Sequence, residues 1–341
     1  MDFSLNEEQL ELKELTHQFA VKEIRPVAAE YDEKNEFPIE VMKKASEIGF
    51  LTSGIPVEYG GTGFSNLDNA ITCEELAWGC AGMYTSIMAN TLAITPIALY
   101  GTDEQKKEFL TPLTKEMKFA CFALTEREAG SDNTAIKTTA VKDGDNYILN
   151  GSKTFITNAG VSSLGVFFAS TDKTRGARGL TAFIIPMDLP GISVGKHENK
   201  MGHRASNTAE IYLDDVKVPA KNVLKREGFG FIIALKTLDY ARPAVGAGGI
   251  GVARAAYEEA LKYAQERIQF GKPIAHFQHN AFKLADMATA IEAARLIVLK
   301  AAWLKDHEKP YATQSAMAKL YAAETAMWVT TEAVQIHGGY G

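Results

Sequence analysis

Two short segments carry residue types that could hold a flat polar ring. The first is Ala120-Cys121-Phe122-Ala123-Leu124-Thr125-Glu126-Arg127-Glu128-Ala129-Gly130-Ser131-Asp132. An apolar run with a β-favouring aromatic stops there at small and polar groups. Thr125 and Ser131 offer hydroxyls, and Gly130 lets a ligand approach the backbone. Such a strand-to-loop edge suits a planar heteroaromatic ring with a phosphate or thioester beside it. The second segment is Gly151-Ser152-Lys153-Thr154-Phe155-Ile156-Thr157-Asn158-Ala159-Gly160. It again sets an aromatic and a threonine at the end of a strand-like run. Taken singly, a Thr-Glu pair is ordinary turn chemistry and Ser131-Asp132 a loop or cap. The two segments in this order are far more specific than either alone.

Strands are needed to position these edges, and residues 119–223 supply them. Ala135–Val141, Tyr147–Leu149, Val166–Ser170, Leu180–Pro186 and Glu210–Leu213 are β-rich or alternating, with turns such as Asp143-Gly144-Asp145 between them. The pattern predicts a small antiparallel barrel or sandwich. Residues 1–118 read as helical. Asn6 with Gln9, and Thr102 with Gln105, have the form of capping boxes, and Pro26 kinks or restarts the first helix. Helical periodicity returns over Glu227–Ile268, 278–305 and 311–335. The class is therefore α+β: a helical domain (1–118), a β domain (119–223) and a helical bundle (224–341).

Composition narrows the function classes. The 341 residues are 46% hydrophobic and 23% charged, and the net charge of −6 argues against a nucleic-acid partner. No apolar window is long enough to span a membrane, and Met1-Asp2-Phe3-Ser4 does not open a signal peptide. Cys73, Cys80 and Cys121 make no disulfide framework, which fits a cytoplasmic protein. Gly246-Ala247-Gly248-Gly249-Ile250-Gly251 has the G-x-G-x-x-G spacing of a dinucleotide fold, but helical flanks replace the required strand, so close helix packing is the better reading. Tyr59–Gly63 is a plain glycine-rich turn, because it lacks the Lys-Ser/Thr ending of a phosphate loop. His276-Phe277-Gln278-His279 lacks the glutamate and spacing of a zinc helix, and no metal is expected.

The two segments resemble the flavin-binding middle domain of the acyl-CoA dehydrogenases, with its T-E-P-x-A-G-S-D and G-x-K-x-[WF]-I-T-N patterns. The second pattern is complete; the first departs at Arg127, where the family has Pro. The resemblance extends over the whole chain. It implies FAD as cofactor and the α,β-dehydrogenation of a short- or medium-chain, or compact cyclic, acyl-CoA thioester. In that reaction a carboxylate removes the α-proton and the β-hydrogen leaves as hydride. Electron-transferring flavoprotein would accept the electrons. An acyl-CoA oxidase, an enoyl-CoA reductase or a catalytically inert CoA- or flavin-binding fragment are the alternatives.

The resemblance also implies roles by position. Thr125 would bond the flavin's pyrimidine edge, with Phe122 and Leu124 along the same strand. Thr157 would reach flavin N5, and Phe155 would pack on the isoalloxazine. Ser131 would meet a flavin phosphate or the pantetheine arm. Arg267 and Phe270, with Gly271, resemble a pyrophosphate-binding segment that acts on a neighbouring subunit. Gln278, Gln335, Gly338 and Gly339 resemble segments around the adenosine half. Leu238, Asp239 and Arg242 resemble the substrate-side helix, with Asp239 on the pantetheine amide and Arg242 beside the catalytic loop. Tyr84, Met88 and Leu92 sit where the acyl tail ends in the family, or are simply core. The family is commonly a dimer of dimers. Its catalytic glutamate lies in a Y-E-G-T segment after Q-I-x-G-G-x-G, or on the substrate-side helix, where this chain has Ala241. Neither position supplies a base here, so the sequence is expected to be a C-terminal truncation, catalytically dead or crippled.

Overall fold

The computed structural model describes residues 4–341; Met1 to Phe3, part of the stretch judged not to open a signal peptide, lie outside the described residues. Seven helices come first: α1 (Glu7–Phe19), α2 (Arg25–Lys34), α3 (Ile39–Ile48), α4 (Asn66–Gly79), α5 (Ala81–Tyr100), α6 (Asp103–Phe109) and α7 (Thr111–Lys115). Strands β1 (Phe119–Ala123), β2 (Thr139–Asp143), β3 (Asn146–Thr157), β4 (Ser162–Ser170), β5 (Leu180–Pro186), β6 (Ile192–His197) and β7 (Thr208–Pro219) follow. Helix α8 (Gly230–Glu266), the hairpin β8 (Ile268–Gln269) and β9 (Lys272–Pro273), α9 (Gln278–Asp306) and α10 (Ala312–His337) complete the order.

Local chemistry explains the helix starts. Asn6, Ser65 and Thr102 each accept from the backbone N–H three residues on, and Gln9, Asp68 and Gln105 return the bond. A wide π-type turn at Ala20–Ile24 carries the chain into Pro26 while it stays helical, and the α-helical pattern restarts there as α2. Gly246–Gly251 lies inside α8, with no strand before it. A Cβ at Gly246 would fall 2.9 Å from Val298, and one at Gly251 would fall 2.1 Å from the Glu74 carbonyl oxygen. These glycines are helix contacts.

The chain forms two compact units: residues up to Ala29 with Ser65–Tyr84 and Asp239–Gly341, and Glu30–Phe64 with Thr85–Leu238. The second unit holds the sheet, ordered β1-β4-β2-β3-β7-β6, with β5 also on β4. The sheet is not uniformly antiparallel, as the strand pattern had suggested. β1 and β4 run parallel, from Phe119 opposite Ser162 to Ala123 opposite Phe167. The β2–β3 hairpin lies between them in the chain and gives the length a parallel return needs. β6, half exposed and charged, escaped the sequence reading because edge strands alternate weakly.

β1, β4 and β5 are buried on both faces. Ala120, Leu164, Val166, Phe168, Ala182 and Ile184 pack with Ala93, Ile94, Ile97 and Leu113 of the helices. Their alternates, Cys121, Ala123, Phe167, Phe183 and Ile185, pack with Leu149, Ile211 and Val218 of β3 and β7. That double burial explains why the 119–124 and 164–170 runs read as continuous apolar stretches. It also makes the exit of β1 a rigid place from which to hang a loop.

Candidate functional site

At the exit of β1 the chain makes a tight turn. The Glu126 and Ala129 backbones exchange two hydrogen bonds of 3.1 Å, so Arg127 occupies the second turn position. That is where proline is favoured, and arginine satisfies the same geometry. The departure from the family pattern therefore leaves the turn intact.

The two sequence segments meet here. The Thr154 N–H donates to the Thr125 carbonyl oxygen at 2.9 Å. Below that contact lies Lys153, whose side chain is fully buried. Its Nζ donates to the carbonyl oxygens of Leu124 (3.2 Å) and Phe168 (2.6 Å) and to Glu126 Oε1 (2.8 Å). Glu126 also accepts the N–H groups of Lys137 (2.6 Å) and Thr138 (3.1 Å). Burial works to raise the Glu126 carboxyl, but Lys153 and the Thr138 and Lys137 donors hold it below the usual carboxylate range. Burial pushes the Lys153 ammonium down to about 8 against the pull of Glu126. Gly151 makes room for this pin: at φ 150° it approaches Thr138 so closely that a Cβ would fall 2.5 Å from its Oγ1.

The expected ring-binding residues lie along the two joined segments. Phe122 is half-buried and packs on Phe168 at 5.0 Å. Thr125 and Thr157 are half-buried. Phe155 sits in a bulge of β3 between Lys153 and Ile156, with φ 58° and its ring 64% exposed. A bulky residue held in the left-handed region with its ring in solvent is unusual and marks a site of stored strain. Ser131 and Gly130 are exposed, and the space over Gly130 is open. Leu124 differs: its side chain is 6% exposed and belongs to the core, leaving its carbonyl to hold Lys153.

Two buried asparagines position this edge and were not singled out in the sequence. Asn90 on α5 donates to the Leu51 and Lys118 carbonyls and accepts the Ala120 N–H at 2.8 Å, fixing the start of β1. Asn158, beside Thr157, donates to the Ser86 carbonyl at 2.9 Å, while its buried Oδ1 finds no donor among the described residues. An asparagine inside the I-T-N pattern was the available signal. An orphaned acceptor, an open glycine and a solvent-facing aromatic fit a site shaped for a bound planar group.

The first unit carries a second cluster. Arg267 leads into the β8–β9 hairpin, whose turn is Phe270 (φ 49°) and Gly271 (φ 77°), with Phe270 94% exposed. The Tyr263 ring stacks on His337 at 4.6 Å, and Lys283 pairs with Glu332. These contacts bring Arg267, Phe270, Gln278, Gln335, Gly338 and Gly339 to one end of the α8–α9–α10 bundle. Asp239 and Arg242 form an ion pair on one turn of α8, and Leu238 precedes them half-buried. Met88 and Leu92 are half-buried, one helical turn apart on α5. Tyr84 is 7% exposed and donates to the Ala244 carbonyl at 2.8 Å; as placed it is a core residue over Gly248, not a free wall for an acyl tail.

Known proteins share this arrangement end to end. The N-terminal, middle and C-terminal domains of acyl-CoA dehydrogenase match residues 6–117, 121–216 and 228–341. The chain belongs to the acyl-CoA dehydrogenase family. It is 48% identical to the acryloyl-CoA reductase (NADH) of Anaerotignum propionicum over 100% of this chain and 87% of that one. The solved butyryl-CoA dehydrogenase of Megasphaera elsdenii superposes with a TM-score of 0.97 at 44% identity, over 100% of this chain and 90% of the other. A chain solved with the electron transferring flavoprotein of Acidaminococcus fermentans gives 0.97 at 45%, with the same coverage. These shares do not establish the truncation expected from the sequence.

Proposed function

We propose that this family member binds FAD and a short acyl-CoA thioester and dehydrogenates it between the α and β carbons. The observation that supports this is the pinned junction of Thr125 and Thr154, which joins the segment bearing Phe122 and Thr125 to the segment bearing Phe155 and Thr157. FAD bound there would supply a hydride acceptor. The chain's own residues orient and shield. Phe122 and Phe155 give flat apolar contact, Thr125 and Thr157 give hydroxyl bonds, and Ser131 faces a phosphate or pantetheine. Asp239 and Arg242 take the substrate side. No residue is assigned as the base that removes the α-proton.

Further parts of the reading rest on the family. Electron-transferring flavoprotein is the proposed acceptor, and the cytoplasm the proposed location. A homo-oligomer, as a dimer of dimers, is supported by α10, where Met317, Leu320, Met327 and Val334 are each more than half exposed. Phe270 and its neighbours would then serve the FAD of a second copy. The domain boundaries near 118/119 and 223/224 belong to the same proposal.

A second reading reverses the reaction: a reductase of a short enoyl-CoA, favoured by the similarity to the acryloyl-CoA reductase. The test is a visible spectrum of the purified chain, followed by titration with butyryl-CoA. A yellow protein whose flavin band shifts with the ester supports the proposal. A colourless protein that takes up no added FAD overturns it. Reduction of an electron-transferring flavoprotein by butyryl-CoA, against oxidation of NADH by acryloyl-CoA, separates the two directions.

A further inference from the structure

Pro243 lies inside α8, one residue after Arg242. Proline has no N–H, so the Asp239 carbonyl four residues back loses its helical donor, and the ring pushes that carbonyl aside. The structure replaces the lost bond from outside the helix. Ser315, fully buried on α10, donates its hydroxyl to the Asp239 carbonyl oxygen at 2.7 Å. The next carbonyl, Tyr240, accepts from Lys305 Nζ on α9 at 3.0 Å. Lys305 lies over the Tyr240 ring and 5.9 Å from that of Tyr311. Its own position is fixed by the following residue. Asp306 accepts the N–H groups of Asn66 (2.8 Å) and Leu67 (2.9 Å), so the end of α9 caps the start of α4. Burial pushes the Lys305 ammonium down to about 5 against Asp306, in keeping with a side chain committed to a carbonyl rather than to water.

The turn that lacks this bond is the one that carries the Asp239–Arg242 pair. Both side chains leave the helix at the place where its own bond is missing, so their direction depends on what fills the gap. We propose that Ser315 and Lys305 are positioning residues: Ser315 supplies the donor absent at Pro243, Lys305 adds one to the next carbonyl, and together they set the bend of α8 there, and with it the presentation of Asp239 and Arg242 to the acyl-CoA. The proposal rests on the substrate-side reading of that pair.

The test compares Ser315→Ala, Ser315→Thr, Lys305→Met and a control, Met287→Ala, which opens a buried site on α9 about three turns away from Val298 and its neighbour Gly246. Butyryl-CoA binding to the FAD-loaded protein is read from the flavin band, and amide hydrogen exchange is followed along α8. Loss of the serine hydroxyl should weaken binding about tenfold, the scale of one lost hydrogen bond. Exchange should quicken selectively over Ala244–Gly248. Threonine at 315 should restore both, and Lys305→Met should act on the same stretch. Met287→Ala should quicken exchange across the bundle without that focus. Unchanged ester binding in Ser315→Ala, or exchange no more focused than in the control, overturns the proposal. If the parent takes up FAD but no ester, the substrate reading fails, and the exchange pattern alone decides whether the bend is set by Ser315 and Lys305.

Discussion

At the residue scale the pin between Glu126 and Lys153 decides whether two strand ends stay together. Removing one partner leaves the other buried and unpaired, which costs about 3–5 kcal/mol. Glu126→Ala should lower stability by that order in chemical denaturation, and Glu126→Leu with Lys153→Met should cost much less. The pair also has a pH signature. Between about 8 and 10.5 the unfolded Lys153 is protonated while the folded one is not, so its contribution to stability rises with pH across that window. The Glu126 carboxyl, held low, contributes above the ordinary carboxylate range and loses its contribution as pH falls through its folded value. Thermal midpoints of the parent minus those of Glu126→Gln/Lys153→Met should climb from pH 8 to 10.5 and fall in acid; a flat difference refutes the coupling. Phe155 makes the opposite prediction. Its left-handed backbone costs about 1–2 kcal/mol, and its ring buries little here. Phe155→Gly should hold or raise the thermal midpoint while weakening FAD uptake. The sequence showed the hydroxyls and aromatics of both motifs, because those types announce their chemistry. It hid the pin, since a Glu and a Lys 27 positions apart look like two ordinary surface charges until the fold buries them together.

At the element scale the site depends on β1 leaving a doubly buried core at a fixed angle. Asn90 does this from α5 with three hydrogen bonds. Asn90→Ala leaves the Ala120 N–H and two carbonyls to find new partners, at about 1–3 kcal/mol for each group left unsatisfied. The expected result is a lower melting temperature and faster exchange of the Ala120 amide, ahead of β7 amides. Equal acceleration in both strands would mean that Asn90 supports the sheet in general and not β1. Helices were legible because their caps and periodicity are local. α8 is legible almost to its ends, and its glycines pack against neighbouring helices. The parallel β1–β4 pairing was not legible. Alternation gives the face of a strand, never the direction of its neighbour.

At the scale of the whole molecule, chain order and compactness differ. Helices, strands and helices follow one another in sequence, yet α1 and α4 belong with the helices after Asp239. Buried charges join them. Arg254 of α8 pairs with Glu74 and Glu75 of α4, Arg295 of α9 reaches Glu74, and His17 of α1 lies 2.8 Å from Glu75. Nothing in the sequence marks Glu74 and Glu75 as interior, because two adjacent acids on a helix ordinarily face water. Arg254→Ala removes the partner the two carboxylates share, leaving Arg295 on Glu74 and His17 on Glu75, and should cost about 3 kcal/mol, the low end for breaking a buried pair. Exchange of α4 and α8 amides should reveal that loss before β4 amides change. If β4 opens equally, the two units unfold as one.

The discontinuity has a consequence for synthesis. A ribosome releases α1 and α4 more than a hundred residues before the arginines that neutralise Glu74 and Glu75. Until α8 and α9 emerge, those early helices must wait with greasy surfaces and naked acids, while the intervening β region can already collapse on itself. Nascent chains of this protein are therefore at their most sticky midway through translation, and that interval is where a holdase would find them.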